Sequence, residues 1–193
     1  MLKKNISLVI AALACFFAVS CVSFRRPKIS RTLADHGIKS AEQLTDFFIA
    51  NNPEADPEYI LEFAQMYIEE ASAEGINSDC AFVQMCHETG FLTFGNLVTA
   101  EMHNYCGLGA INEEQRGEVF ENERLGIRAH IQHLHAYATT EDKVLVNECI
   151  DRRYKYVNPR GKSKTIEGLA GTWAADRQYS IKLENLIRRL EMF

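Results

Sequence analysis

The stretch CAFVQMCHETGFLTF, residues 80–94, places a glutamate where a helix does not favour one. Its pattern predicts an amphipathic helix that ends at Thr89-Gly90, so that Glu88 lies in the last turn. A carboxylate there faces the negative end of the helix dipole, which costs roughly 0.3 to 1 kcal/mol. Glu88 also shares a half-apolar helix face with Gln84 and Met85. The position is therefore unfavourable for stability.

The same position suits one kind of chemistry. Partial burial and a helix C-terminus both disfavour the charged carboxylate, so both raise the pKa that we expect for Glu88. A carboxylic acid that stays protonated near neutral pH is what general-acid cleavage of a glycosidic bond requires. The alternative is a helix-end glutamate that faces solvent or pairs with an arginine.

Composition and charge predict one globular domain that does not bind nucleic acid. The 193 residues are 47% hydrophobic and 24% charged, which is typical of a folded domain with a real core. The formal charge is −5, and loss of an N-terminal signal with Lys3 and Lys4 would make it more negative. An acidic domain does not suit nucleic acid, whose phosphates require a basic face. An uncharged sugar remains a suitable substrate.

The N-terminus has the pattern of a bacterial lipoprotein signal. MLKK is a short positive region, ISLVIAALACFFAV is apolar but short for a membrane span, and AVSC ends the segment at residue 21. We predict a signal peptide at residues 1–20 and lipidation of Cys21. The alternatives are an ordinary secretory signal, an uncleaved anchor, or lipidation of Cys15. Val22 is not the Asp that retains some lipoproteins at the inner membrane, so we expect the outer membrane, facing the periplasm, in a host with two membranes.

Helical patterns dominate the rest of the chain. We expect a polar tether at residues 21–39 and one domain at residues 40–193. Helices are predicted to begin at Ser40, Asp56, Ser78 or Asp79, Arg124, Thr165 and Asp176. Residues 95–123 contain several glycines and read as a loop or short hairpin. The expected fold class is mainly α, with one Gly-containing lobe after the Glu88 helix.

Neither a metal nor a cofactor is expected. His87-Glu88 begins like the zinc-protease motif HExxH, but position 91 is Phe. His130 and His133 are spaced to share a metal, although His130 more simply edges a core face. No CxxC pair is present. The cysteines after residue 21 could form disulfides in three alternative pairings, and they are Cys80, Cys86, Cys106 and Cys149.

Several motifs together resemble the glucosaminidase family of peptidoglycan hydrolases, glycoside hydrolase family 73. QMCHETGF, with the glutamate before Thr-Gly, is followed by NYCGLGA at residues 104–110. The similarity continues through FENERLGIRAHIQHLHAYA at residues 120–138 and IEGLAGTWAADRQY at residues 166–179. It covers about residues 56–193, and the ordered set is more specific than any single motif.

The resemblance implies a lysozyme-like, mainly helical fold with a small lobe of loops and short strands. It also implies hydrolysis of the β-1,4 bond after N-acetylglucosamine in peptidoglycan. Residue by residue, Glu88 matches the general acid, Gln84 and Thr89 match residues that frame it, and Asn104 and Tyr105 match the cleft floor. Tyr179 matches an aromatic residue near the acid, and Tyr154 could add a flat face for a sugar. Tyr179 and Trp173 also fit core packing.

A second carboxylate is expected in the lobe, where its position varies within the family. The candidates are Glu113, Glu114, Glu118, Glu121 and Glu123. We favour Glu118, because it precedes an apolar pair that could anchor the lobe. A separation from Glu88 of about 5–5.5 Å would favour a nucleophile, and one of about 6.5–9.5 Å would favour an activated water. The sequence alone leaves inversion, retention and substrate-assisted attack open.

Two other functions fit parts of the sequence. A lytic transglycosylase also uses one glutamate at a helix end, but such enzymes usually have a Gly-Leu-Met-Gln block where this chain has NYCGLGA. A catalytically silent peptidoglycan-binding lipoprotein would keep the tyrosine-lined cleft without the second carboxylate. The end groups of digested peptidoglycan discriminate all three.

Overall fold

The computed structural model describes residues 27–193. Five α-helices follow in the order α1 Ala41–Ile49, α2 Pro57–Glu74, α3 Ser78–Thr89, α4 Glu123–Ala138 and α5 Tyr179–Leu190. Three short 3-10 helices lie between them, at Ala100–Met102, Tyr154–Tyr156 and Ile166–Leu169. The predicted class is confirmed: the domain is mainly helical, consistent with a lysozyme-like fold. The predicted signal peptide and Cys21 lie outside the described residues.

Local capping signals set most helix ends. Ser40 and Gln43 form the expected capping box of α1, and Asp56 caps α2. Gly75 ends α2 in the left-handed conformation, as predicted. The cap of α3 is Asn77, whose side chain accepts two backbone N–H bonds, rather than either of the two following residues. No helix between residues 27 and 193 is both long and apolar enough to span a bilayer.

Helix α3 is the centre of the domain. It contacts α1, α2, α4 and α5, and all of its residues except His87 and Glu88 are buried. A helix that is buried all round is typical of a domain core. The aromatic side chains of the core that are less than 2% exposed are Phe47, Phe48, Phe63, Tyr67 and Phe82. The core therefore holds α3 rigidly and leaves only its C-terminal end accessible.

Residues 27–39 belong to the folded domain, so the prediction of a tether that reaches residue 39 is wrong for this part. Ile29 and Leu33 are 2% and 1% exposed. The Asp79 carboxylate accepts the backbone N–H groups of Ile38, at 2.9 Å, and of the next residue, at 3.2 Å. Each buried apolar side chain contributes about 1.5–3 kcal/mol. Together with the bonds at Asp79 and the ion pairs of Arg31, they dock the segment on the domain.

The lobe, residues 90–122, is built from turns and one 3-10 helix. No β-strand occurs among residues 27–193, so the short strands expected in the lobe are not found there. The long helix predicted from Thr165 is also wrong. It is a single 3-10 turn that ends at Leu169, because Ala170 is extended and Gly171 has a φ of +78°.

Candidate active site

Glu88 lies at the mouth of a cavity between α3 and the lobe. Its helix ends one residue later, and Gly90 closes the end in the left-handed conformation with its N–H bonded to the Cys86 carbonyl. The cavity has a volume of about 160 Å³. The residues that line it are Glu88, Thr89, Phe94, Asn96, Leu97, Val98, Asn104, Gly107 and Ala110. Glu88 is the one carboxylate among them.

One oxygen of Glu88 accepts two hydrogen bonds. The indole N–H of Trp173 donates to Oε1 at 3.1 Å, and the Tyr179 hydroxyl donates to the same atom. Among the described residues, none donates to Oε2 of Glu88. The carboxyl group is thus fixed by two aromatic side chains through one oxygen, while the other stays available.

The site raises the pKa of Glu88 above its ordinary value. Burial is the larger effect and raises the pKa, whereas the hydrogen bonds from Tyr179 and Trp173 favour the charged form and lower it. The net direction is upward, as the sequence predicts. A protonated carboxyl in a cavity can donate a proton to a bound leaving group.

A buried hydrogen-bond network extends from Tyr179 into the core. The Gln84 side-chain amide donates to the Tyr179 hydroxyl at 2.8 Å. Gln84 Oε1 lies 3.1 Å from Nε2 of His130, and Nδ1 of His130 lies 3.0 Å from the Tyr67 hydroxyl. We call these four residues the buried network. They are at most 3% exposed and come from α2, α3, α4 and α5.

Asn104 and Thr89 fix the walls of the cavity. Asn104 is 1% exposed, and its amide donates to the carbonyls of Leu108 and Glu118 at 2.9 and 3.0 Å. Its Oδ1 accepts the Leu108 N–H at 2.9 Å. The Thr89 hydroxyl donates to the Met85 carbonyl and accepts the N–H of Leu92. Both residues line the cavity, and their hydrogen bonds fix the backbone around it.

The segment after Glu88 is strained. Phe91, Leu92 and Phe94 have φ values of +55°, +59° and +55° without being glycine. Such conformations cost bulky residues about 1–2 kcal/mol each. Phe91 is held by aromatic contacts with Phe47 and Phe48. Phe94 lines the same cavity as Glu88.

Tyr105 and Tyr154 do not line this cavity. Tyr105 is 2% exposed, packs edge-on against Phe63, and lines a neighbouring cavity of about 380 Å³ that also includes Phe94. Tyr154 stacks on His135 and bonds to it at 2.9 Å. Tyr179 contacts Glu88 directly. Of these three tyrosines, Tyr179 is the one that hydrogen-bonds to Glu88.

Glu118 also lies away from the cavity lining. Its carboxylate is 3.6 Å from Arg152, and a Cβ added to Gly109 would lie 3.5 Å from its Oε1. Its backbone carbonyl accepts from the cavity residue Asn104. Glu118 is therefore not among the residues that line the Glu88 cavity.

Two side chains at the site were predicted to belong to the core. Trp173 packs against the core, as expected, and its indole N–H also donates to Glu88. His130 is buried in the core, and both its ring nitrogens are hydrogen-bonded. The sequence feature that could have indicated a role for Trp173 is its position in the same motif as Tyr179, residues 166–179. For His130 the sequence gives no such signal, because its partners are 46 and 63 residues away.

The four cysteines in residues 27–193 are free thiols. Cys80, Cys86 and Cys106 are buried thiols, and Cys149 is exposed. None of the alternative disulfide pairings is therefore formed among the described residues. Burial raises the pKa of Cys106 well above its usual value, and the nearby charge of Glu88 adds to this. No group of three or more His, Cys, Asp or Glu side chains between residues 27 and 193 is arranged to hold a metal ion.

Most of the domain is similar in sequence to known proteins. Residues 64–192 match the family model named Glucosaminidase, described as mannosyl-glycoprotein endo-beta-N-acetylglucosaminidase. An uncharacterised protein of Borreliella burgdorferi is 39% identical over 158 residues, which cover 82% of this chain and 76% of that protein. No solved structure matches. The matched region contains the Glu88 cavity and the whole buried network.

Proposed function

Because the chain belongs to the glucosaminidase family, whose domain acts on peptidoglycan as a glycosidase, we propose that it is an endo-β-N-acetylglucosaminidase with Glu88 as its general acid. The proposed reaction hydrolyses the β-1,4 bond after N-acetylglucosamine in peptidoglycan glycan strands. The observation that carries the proposal is the arrangement of Glu88: a half-buried carboxyl with a raised pKa in a cavity, held through Oε1 alone.

In the proposed reaction, Glu88 donates one proton to the leaving group and later takes one proton back from water. The proton of its neutral carboxyl goes to the glycosidic oxygen as the bond from that oxygen to the anomeric carbon breaks. Water then supplies the hydroxyl of the new reducing end, and its second proton restores the neutral carboxyl. Glu88 is the only carboxylate in the described cavity lining, so the proposal gives it this role alone.

The substrate contacts proposed for the cavity come from its polar and aromatic walls. The Thr89 and Asn104 side chains and the Phe94 ring line the same space as Glu88. Sugar recognition uses flat apolar faces combined with a few fixed polar groups. Gln84 does not line the cavity; its amide donates to the Tyr179 hydroxyl, which in turn donates to Glu88.

A digest of purified peptidoglycan by the purified protein tests the function. The soluble products are reduced with borohydride and identified by mass spectrometry, with Glu88→Gln as the matched control. We expect reduced N-acetylglucosamine ends that are absent from the variant digest. Anhydro ends would instead identify a lytic transglycosylase. Sedimentation with the sacculi without any new ends would identify a peptidoglycan-binding protein.

We further propose that the protein is an envelope lipoprotein, held by lipid on Cys21 at the outer membrane of a host with two membranes. The support is the sequence of residues 1–22 alone. Cys21→Ser is expected to move the protein from the membrane fraction to the soluble fraction and to abolish palmitate labelling. Cys15→Ser is the matched control, and labelling that persists in Cys21→Ser would move the lipid to another cysteine.

A further inference from the structure

We propose that His130 and Tyr67 are positioning residues for the acid: through Gln84 they direct the Tyr179 hydroxyl proton onto Oε1 of Glu88, which reserves Oε2 for the proton that is transferred. The catalytic part of this inference rests on the proposed function. Neither residue lines the cavity, and hydrogen bonds connect both to Glu88 through Gln84 and Tyr179. The His130 ring also lies 5.9 Å from the Trp173 ring.

The direction of the buried network is fixed at its far end by Tyr67. Its side chain is 0% exposed and lies against the Phe63 and Phe82 rings. Among the described residues, His130 is the one hydrogen-bond partner of the Tyr67 hydroxyl. If Tyr67 accepted a proton from His130, its own O–H would be buried without a partner, which is unfavourable. Tyr67 therefore donates, and Nδ1 of His130 accepts.

The donation from Tyr67 to His130 fixes which group donates and which accepts in each remaining hydrogen bond of the network. Burial lowers the pKa of His130 to about 3, so its ring is neutral and carries one N–H. Since Nδ1 accepts, the N–H is on Nε2, which donates to Gln84 Oε1. The amide nitrogen of Gln84 must then face Tyr179 and donate to its oxygen. Tyr179 has one proton, and Glu88 is its remaining acceptor.

The result at Glu88 is a distinction between its two oxygens. Trp173 can only donate, and Tyr179 donates because of the buried network, so Oε1 receives two hydrogen bonds. A proton on Oε1 would face these two donors. The neutral carboxyl therefore carries its proton on Oε2. If each hydrogen bond of the buried network ran in the opposite direction, the Tyr179 hydroxyl would donate to Gln84. The Glu88 carboxylate would then lose one of its two donors.

Other ionisable groups face Glu88 from its own helix and from α5. The His87 ring lies 5.3 Å from the Tyr179 ring. Burial lowers the pKa of His87, Lys182 lowers it further, and Asp176 opposes them. The pKa of Tyr179 is well above its usual value, chiefly through burial and then through the charge of Glu88. Tyr179 thus remains a donor while Glu88 titrates.

The lobe and α4 supply the remaining groups. Cys106 stays a thiol, because burial and the charge of Glu88 raise its pKa. His133 bonds to Asp151 at 2.7 Å, and its ring lies 5.1 Å from the Trp173 ring. His87, His130 and His133 are therefore the nearby imidazoles whose effect must be separated from that of Glu88 in any measurement at Trp173.

Trp173 provides a readout that does not depend on activity. It is the only tryptophan of the chain, and its indole N–H bonds to the Glu88 carboxyl. Its fluorescence should therefore follow the protonation of Glu88 without substrate. The transition that disappears in Glu88→Gln is assigned to Glu88, and any transition that remains comes from another group.

The test compares Tyr67→Phe, which removes one oxygen atom, with Ile131→Val as a buried control on α4 outside the network. Tyr67→Phe is expected to move the Glu88 transition to higher pH, because the carboxylate loses part of a hydrogen bond. It should also lower kcat about tenfold, the equivalent of one weakened bond to a charged group. Ile131→Val should lower the melting temperature slightly and leave the transition in place.

A double-mutant cycle separates positioning from general destabilisation. In a Tyr179→Phe background, Tyr67→Phe is expected to change kcat by less than about twofold, since the hydroxyl through which it acts is absent. Equal losses in both backgrounds, or an unchanged Glu88 transition in Tyr67→Phe, would overturn the inference. If the wild-type protein releases no reducing ends, the proposed function fails, and the fluorescence titration still decides whether Tyr67 orients the carboxyl.

Discussion

At the scale of single residues, Glu88 combines unfavourable burial with two favourable contacts. The helix end and the surrounding core disfavour its charge, while Trp173 and Tyr179 donate to one of its oxygens. The sequence predicted the first effect from position alone. It could not predict the second, because both donors come from a segment more than 80 residues later.

The stability of Glu88→Gln should depend on pH in a defined direction. The folded protein holds the Glu88 proton more tightly than the unfolded chain, whose carboxyl titrates near 4.5. Wild-type stability therefore falls as pH rises from about 4.5 through the raised folded pKa. Glutamine has no such loss and can still accept from both donors. We expect similar melting temperatures at acidic pH and a more stable variant at pH 8, measured by circular dichroism. A variant that is less stable at pH 8 would contradict the pKa direction.

Glu118→Gln should have a small effect. Its carboxylate lies near Arg152 and Gly109, outside the lining of the Glu88 cavity. We expect kcat within about threefold of wild type, in contrast to the loss in Glu88→Gln, because surface ion pairs contribute little. Turnover of peptidoglycan by both variants in parallel is the measurement. A Glu118→Gln enzyme as inactive as Glu88→Gln would restore Glu118 as the second catalytic carboxylate.

At the scale of elements, the sequence predicted a helix start correctly where all the capping residues lie within one helical turn. The Ser40 capping box and the Asp56-Pro57 start were correct for this reason. The helix predicted from Thr165 failed because Gly171, six residues later, takes a positive φ and turns the backbone. The path of the lobe could not be predicted, since the Asn104 side chain that holds it bonds to backbone carbonyls.

Gly126→Ala tests the contact between α4 and the lobe. In an open helix the change stabilises by about 1 kcal/mol. Here a Cβ at position 126 would lie 1.8 Å from the His103 carbonyl oxygen and 3.2 Å from the Tyr105 ring. We therefore expect a lower melting temperature and weaker substrate binding, because the lobe must shift next to Asn104. Ala129→Ser, on the same buried helix, is a comparison for small changes without that clash. A higher melting temperature for Gly126→Ala would contradict this packing.

At the scale of the whole molecule, long-range contacts decide the domain boundary and the site. The N-terminal segment reaches across the fold: Arg31 binds both Glu184 and Glu191 on and just after α5. Its polar composition predicted a tether, and composition does not reveal where isolated apolar residues dock. The buried network also depends on long-range contacts, because Tyr67 and His130 meet only when α2 packs on α4.

Two truncations test that boundary. A chain that begins at residue 27 keeps every described contact and should unfold cooperatively near the temperature of the longer protein. A chain that begins at residue 40 loses the buried side chains of Ile29 and Leu33 and leaves the Asp79 carboxylate, 0% exposed, without its two backbone donors. We expect its melting temperature to fall by at least about 10 °C, or the chain not to fold.

The point variants Ile29→Ala and Leu33→Ala, in the chain that begins at residue 27, measure the apolar part of that loss separately. Each should lower stability by about 2–5 kcal/mol if the side chain is a genuine core residue. Because the segment packs at the start of α3, and α3 carries Glu88 at its other end, the truncation at residue 40 should lower activity in proportion to the unfolded fraction. Unchanged stability of that truncation would return residues 27–39 to the tether and confine the domain to residues 40–193.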